Sequence, residues 1–530
     1  MGGKMRSLIF FIILICTVPA HAITIGDLEA GKATFRAKCS MCHTPESRAG
    51  KGDLVVRDLG AVNPAMFMVG ILTHQEVINL ATYLNSGALG LMRSQRDSYA
   101  QEKAKGRAEQ GSYPYKSFDS SEKCAACHIE IYNQYQHSAM AKAQILPWDQ
   151  AEYFKLALPH TRLEPKVAEV EAGCLNCHAP LAFLSGDIPL SVAGKANPKA
   201  DGVSCDVCHT MLGFEGEVPG NGNFVVKPGE VKYGPRKDIK SFYHKSEYSE
   251  FQKRAAELCG TCHDEISPYG AWVKETYKEW KNGPYGKADI RCRNCHEPPS
   301  PGKSAIMGKE REDVAQHLFL GSYSQAWMNG AAVVSLYPRD SEIAPDQTLD
   351  IQVVLINHRA GHMIPTGSTE ERQLWLHLEA NDAKGKTYHI KAPLAPGDTP
   401  DKSYSVSTNK PAYKDLGSMM GIKDFKGIQR DALTEGDRLF RKVFLNPEGE
   451  ETIAQWNTTD TGIFDNRLKP LEARLVNYEW KIPPDVAKGK LTITADLNYR
   501  RLPQSVADLA GIGEVPILDV AEDQVSIEIR

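Results

Sequence analysis

Cys124-Ala125-Ala126-Cys127-His128, Cys174-Leu175-Asn176-Cys177-His178, Cys205-Asp206-Val207-Cys208-His209, Cys259-Gly260-Thr261-Cys262-His263 and Cys292-Arg293-Asn294-Cys295-His296 all fall between positions 124 and 296, and Cys39-Ser40-Met41-Cys42-His43 precedes them. Each string has the spacing of a c-type haem attachment signal. Two thiols three positions apart can add to the two vinyl groups of one porphyrin, and the adjacent imidazole then reaches the iron. The chain has 13 cysteines; Cys16 lies in an apolar N-terminal run, and the other twelve are consumed by the six strings. A disulfide framework would not place a histidine after every second cysteine. Structural zinc uses paired ligand knuckles, and thioredoxin-like pairs occur singly. Six covalently bound c-type haems, each with an iron, are therefore expected.

Working outward, the N-terminus carries Lys4 and Arg6, an apolar run from Leu8 to Val18, and Ala20-His21-Ala22. That is the pattern of a signal peptide over 1–22, with the mature chain starting at Ile23 in the periplasm or outside the cell. Ile15 before Cys16 argues against a lipid anchor. No later run approaches the ~20 apolar residues of a membrane span. The formal charge of −4 becomes −6 once Lys4 and Arg6 are removed, which argues against nucleic acid as a partner.

Residues 23–86 resemble the monohaem cytochrome c fold. Gly31 and Phe35 precede Cys39 on a helical pattern, and a second helix is expected from Thr73, with Glu76 completing a capping box. In that family the first and last helices cross through positions matched here by Gly31, Phe35 and Tyr83. The resemblance implies Met66 as the ligand on the open side of the first iron, with Met68 and His74 as alternatives; only 22 residues separate His43 from Met66, so the intervening helices must be short. A methionine that merely packs is the plain alternative. Residues 87–118 are charged, lack an apolar stripe and read as a linker that lets the first domain swing.

Residues 119–325 hold five sites in 207 positions, about one per 41 residues. Too little chain remains for an ordinary core, so closely stacked porphyrins must form it. This segment resembles the cytochrome c-554-like multihaem family through Cys124 to Met140, Cys174-Leu175-Asn176-Cys177-His178-Ala179-Pro180, Gly202-Val203-Ser204-Cys205-Asp206-Val207-Cys208-His209 and Cys259-Gly260-Thr261-Cys262-His263-Asp264. From about Thr348 the pattern has period two. Leu349–Val353, Leu374–Leu378, Leu475–Trp480, Leu491–Ala495 and Val525–Ile529 read as strands of an antiparallel β-sandwich over 326–530. The fold class is thus multidomain: a small all-α cytochrome c domain, a haem-packed, mainly α and irregular domain, and a β-sandwich.

Function turns on how many irons have two protein ligands. Beyond His43, His128, His178, His209, His263, His296 and His21, nine histidines remain. The resemblance implies His244, after Gly234-Pro235, and His317, after the last attachment string, as second ligands. Near the second haem either His137 or Met140 would serve, and His160 enters by elimination only. Gly361-His362-Met363-Ile364-Pro365-Thr366-Gly367 resembles a loop in the β-rich tails of such cytochromes; His362 would reach back to a haem, with His358 as second choice. His377 and His389 read as surface residues. The set Met66, His137, His160, His244, His317 and His362 would cap six irons, which favours an electron carrier in respiration. Its partners would be other cytochromes, a membrane quinol oxidase or an outer-membrane conduit. The rival reading is an oxidoreductase with one open haem acting on a small nitrogen or sulfur compound.

Overall fold

The computed structural model describes residues 24–25, 27–38, 79–80, 82–83, 106–189, 202–395, 397–399 and 402–530. The signal-type segment, Cys39, Cys42, His43, Met66, Met68 and His74 lie outside the described residues.

The period-two segments form two stacked sheets. The first has the order β1 (Thr24–Ile25), β8 (Ala473–Lys481), β4 (Thr348–Ile356), β2 (Val333–Pro338), all antiparallel. The second runs β3 (Glu342–Ile343), β10 (Ile517–Ile529), β9 (Gly489–Arg500), β5 (Gln373–Asn381), β6 (Thr387–His389), with β7 (Arg438–Phe440) also on β5. Only β3–β10 within these two sheets is parallel. Alternate residues of each strand meet between the sheets: Leu349, Ile351 and Val353 of β4 share one buried cluster with Leu374, Leu376 and Leu378 of β5 and Leu491, Ile493 and Leu497 of β9. Each fully buried leucine contributes about 1.5–3 kcal/mol, so alternation holds the register.

Ahead of the sheets, four attachment strings sit on short helices, Val170–His178, Cys205–Thr210, Ala256–His263 and Cys292–His296, while the first begins at the end of Ser121–Ala125 and continues into the turn that follows. Residues three apart share a helix face, so both thiols of a string point the same way. A buried seam joins this region to the β-rich one, with Trp148, Leu156 and Val167 against Tyr413, Leu416, Trp456 and Val506. None of the helices among the described residues is long and apolar enough to cross a membrane.

The helix α1 (Leu28–Lys38) lies against the helical residues Asn79, Leu80, Thr82 and Tyr83. Phe35, 2% exposed, meets Tyr83 with ring centroids 5.7 Å apart. A Cβ on Gly31 would sit 1.8 Å from the Asn79 carbonyl oxygen. Gly31→Ala should therefore force the helices apart at a cost of about 1–3 kcal/mol, seen as faster hydrogen exchange across 28–38; unchanged exchange would show that the crossing tolerates a methyl.

Residues 87–105 of the expected linker lie outside the described residues. β1 pairs with β8, and the Ala473 amide donates to Thr82 Oγ1 at 3.1 Å, so an edge strand that would otherwise leave unpaired backbone groups ties α1 to the first sheet. From Gly106 the assigned linker is also packed. Ala108 and Phe118 are buried beside Leu181 and Phe183, and the Gly111 and Tyr113 amides donate to Phe183 and Leu184 carbonyls. The charge count along 87–118 concealed the anchors Tyr113, Tyr115 and Phe118.

Candidate haem-binding site

One continuous cavity of about 1270 Å³ runs through the helical region and is lined by His128, His178, His209, His263 and His296 together with nine of the ten motif cysteines between 124 and 295. Three of these histidines face a second imidazole. Ring centroids are 6.2 Å apart for His128 and His244, 6.4 Å for His209 and His317, and 6.4 Å for His296 and His362, with interplanar angles of 28°, 24° and 17°. Two metal–imidazole bonds of about 2.0 Å, plus roughly 1.1 Å from each nitrogen to its ring centre, give about 6.2 Å. The gap in each pair is that of one iron held from both sides.

Hydrogen bonds orient the same six rings. Nδ1 lies against a backbone carbonyl in every case: His128 with Ser304 at 2.6 Å, His209 with Tyr233 at 2.8 Å, His296 with Leu320 at 2.9 Å, His244 with Lys245 at 3.2 Å, His317 with Ala315 at 3.0 Å and His362 with Met363 at 2.8 Å. A carbonyl only accepts, so Nδ1 carries the proton and Nε2 keeps its lone pair for a metal. Burial also pushes His209, His296 and His317 below the usual imidazole range, and His263 down to about 4 through burial and then the nearby Lys274 charge. Neutral rings are the ligating form.

The His362 loop is pinned by Glu279. Its carboxylate accepts from the Met363 amide at 3.1 Å, Thr366 Oγ1 at 2.7 Å and Arg467 Nη1 at 2.6 Å, while Asn357 Nδ2 donates to the His362 carbonyl at 3.0 Å. The β-rich region thus delivers a side chain into the cavity. His358 does not line the cavity; its carbonyl accepts from Tyr285.

His178 is set differently. Its Nδ1 lies 2.8 Å from Asp149 Oδ1 and 3.3 Å from the Ala143 carbonyl oxygen, so its nearer partner is a carboxylate. Burial would lower this imidazole, but the hydrogen bond and charge of Asp149 outweigh it and hold the ring above its ordinary range. His137 and Met140 line the cavity, but neither is among the described facing pairs. His160 is placed elsewhere: it is not part of the cavity wall, and its Nδ1 accepts from the Trp456 indole at 3.0 Å. Elimination along the sequence had no access to a partner 296 positions away.

Sulfurs of different strings meet. Cys124 contacts Cys205, Cys177 contacts Cys262, and Cys259 contacts Cys292. Each thiol would carry a haem, so haems held here would be neighbours at the 128 and 209 sites, and at the 263 site with both the 178 and 296 sites.

Residues 123–210 match the family described as cytochrome c554 and c-prime. No curated protein sequence matches the chain. Among solved structures, the chain is similar to a penta-heme cytochrome c552 from Thermochromatium tepidum, with 20% identity, a TM-score of 0.52, and coverage of 78% of this chain and 100% of that one. The sporulation control protein Spo0M of Bacillus subtilis overlaps 38% of this chain and 49% of its own, at 12% identity and a TM-score of 0.14, a likeness too slight to bear on either fold or function. The matched segment and the similarity in fold to a penta-heme cytochrome support a multihaem cytochrome c, and the three facing imidazole pairs agree with that likeness.

Proposed function

We propose that the protein is an exported six-haem cytochrome that passes electrons between respiratory redox partners outside the cytoplasmic membrane. The observation that carries this reading is the set of three imidazole pairs at iron-spanning distance. Haem bound by these residues would supply one-electron ferric/ferrous chemistry. The chain's own residues do the rest. The cysteines would attach the haems, the paired imidazoles would hold three of the irons, and backbone carbonyls lock ring tautomer and orientation. Cys39, Cys42, His43 and Met66 would hold the sixth haem, and the thioether would set it at a higher potential than bis-imidazole sites. Partners would be other cytochromes, a membrane quinol oxidase or an outer-membrane conduit. A potentiometric titration of the holoprotein should resolve one high-potential component above the rest; six overlapping potentials would remove the Met66 assignment.

One observation favours a second reading, an oxidoreductase acting on a small nitrogen or sulfur compound. Among the described residues His178 has no imidazole facing it, and its Nδ1 is bonded to a carboxylate. A carboxylate behind a ligating imidazole raises ligand basicity and stabilises ferric iron. Asp149→Asn should therefore raise the potential of one haem by roughly 60 mV or more, a tenfold bias in a one-electron couple. Unchanged potentials would show that Asp149 does not act through His178. Carbon monoxide binding by about one sixth of the reduced haem would mark an open iron and turn attention to such substrates.

A further inference from the structure

A second constellation of ligand-type side chains lies on the outer face of the second sheet, away from the haem cavity. His377 is on β5 between Leu376 and Leu378, which turn inward to the core. His389 is on β6, paired with Glu379 of β5. Asp437 immediately precedes β7, whose Arg438 pairs with Leu376 of β5. Both short strands therefore flank the same edge of β5, and the gap between them brings Asp437 against both rings. Asp437 is 2% exposed, and its Oδ1 lies 2.7 Å from His377 Nδ1 and 3.0 Å from His389 Nε2. The two imidazoles stack 4.9 Å apart at an interplanar angle of 7°. One ligand atom from each of the three residues lies within 4.8 Å of the others.

A purely hydrogen-bonded clamp would direct two N–H donors at one buried oxygen. The surrounding charge points to a cation instead. Glu379 Oε2 is 3.8 Å from His377 Nε2, Asp496 stands opposite His377 in the ladder, and Glu522 stands opposite Asp496. Asp519 adds to the acidic side, and His377 is the basic group acting on Asp496. Two imidazole nitrogens and one carboxylate oxygen suit a borderline divalent ion better than calcium or magnesium, which prefer all-oxygen sets. Bonds of about 2.0–2.2 Å in tetrahedral geometry place ligand atoms roughly 3.3 Å apart, so a few tenths of an ångström of opening admits the ion.

We propose that His377, His389 and Asp437 form a binding site for a divalent transition-metal ion of the zinc type, with a fourth position open to water. Such an ion would staple β6 and the start of β7 to β5.

The test is zinc titration of the chelator-treated, full-length holoprotein by calorimetry, with X-ray absorption at the zinc edge. One zinc per chain with two imidazole ligands is expected. Removing even an outer-shell partner costs 10–100-fold in affinity, so His389→Ala and Asp437→Ala should each weaken binding by on the order of a hundredfold or more. His389→Gln, on an edge strand, provides a second variant should Asp437→Ala fail to fold; unchanged haem absorbance and circular dichroism report folding. Glu522→Gln, at the rim, should still bind one zinc. No uptake by the unaltered protein at micromolar zinc would overturn the proposal, as would uptake that folded His389 variants retain.

Discussion

His317→Ala should convert one haem from low-spin to high-spin and let about one sixth of the reduced haem bind carbon monoxide. His317 is the second ring of the pair with His209, 6.4 Å away, with Nδ1 on the Ala315 carbonyl and Phe319 edge-on at 5.6 Å. Nothing else in that pair can supply a nitrogen to the far side of the iron. Alanine removes the strong-field ligand while leaving the attachment by Cys205 and Cys208 intact, so haem content should not change. His317→Met should restore a low-spin iron at higher potential, because a thioether favours the ferrous state. A His317→Ala protein that stays wholly low-spin and ignores carbon monoxide would mean that the pair does not enclose an iron. His244→Ala and His362→Ala should behave alike, the latter with an added loosening of the Glu279-pinned loop.

The second large effect is on stability. Asp431→Ala should lower the melting temperature by roughly 10 °C, from a loss of about 3–5 kcal/mol when one partner of a buried ion pair is removed. Asp431 and Arg430 are both 0% exposed. The carboxylate takes Arg430 Nε at 3.0 Å and Nη2 at 2.9 Å, the Arg441 guanidinium, and the Thr408 amide at 3.1 Å. Burial would raise this carboxyl, but the Arg441 and Arg430 charges outweigh burial and hold it well below the usual carboxylate range. A depressed carboxylate contributes its stability above its unfolded value of about 3.9, and that contribution fades as pH falls from there towards the folded value. Melting of the unaltered protein should thus decline below about pH 4, and the Asp431→Ala protein should show a smaller decline. A melting temperature within 2 °C of the unaltered protein would show that Arg430 and Arg441 find other anions.

The parts of this architecture that repeat at short range were legible in the sequence. Attachment strings need only five consecutive residues, and strands such as Leu349–Val353 and Leu491–Ala495 announce themselves by alternation, since one face of each is buried. His244, His317 and His362 were singled out through resemblance to known multihaem cytochromes, and the structure sets each opposite a motif histidine. What could not be read depends on tertiary partners. Asp149 sits 29 positions before His178, and Glu279 holds a loop 84 positions away. His377 and His389 looked like surface residues because Asp437, their shared partner, is 60 and 48 positions distant. The packed stretch from Gly106 to Phe118 misled for another reason: a few aromatic anchors decide its docking, while its charges dominate any local average.

The most direct measurement is spin quantitation by electron paramagnetic resonance of the fully oxidised holoprotein. At least three ferric irons per chain should be low-spin with the signature of near-parallel imidazole ligands, matching the angles of 28°, 24° and 17° between facing rings. Fewer than three such irons, with high-spin signal in their place, would contradict the assignment of these pairs as iron ligands and with it the reading of the protein as an electron carrier.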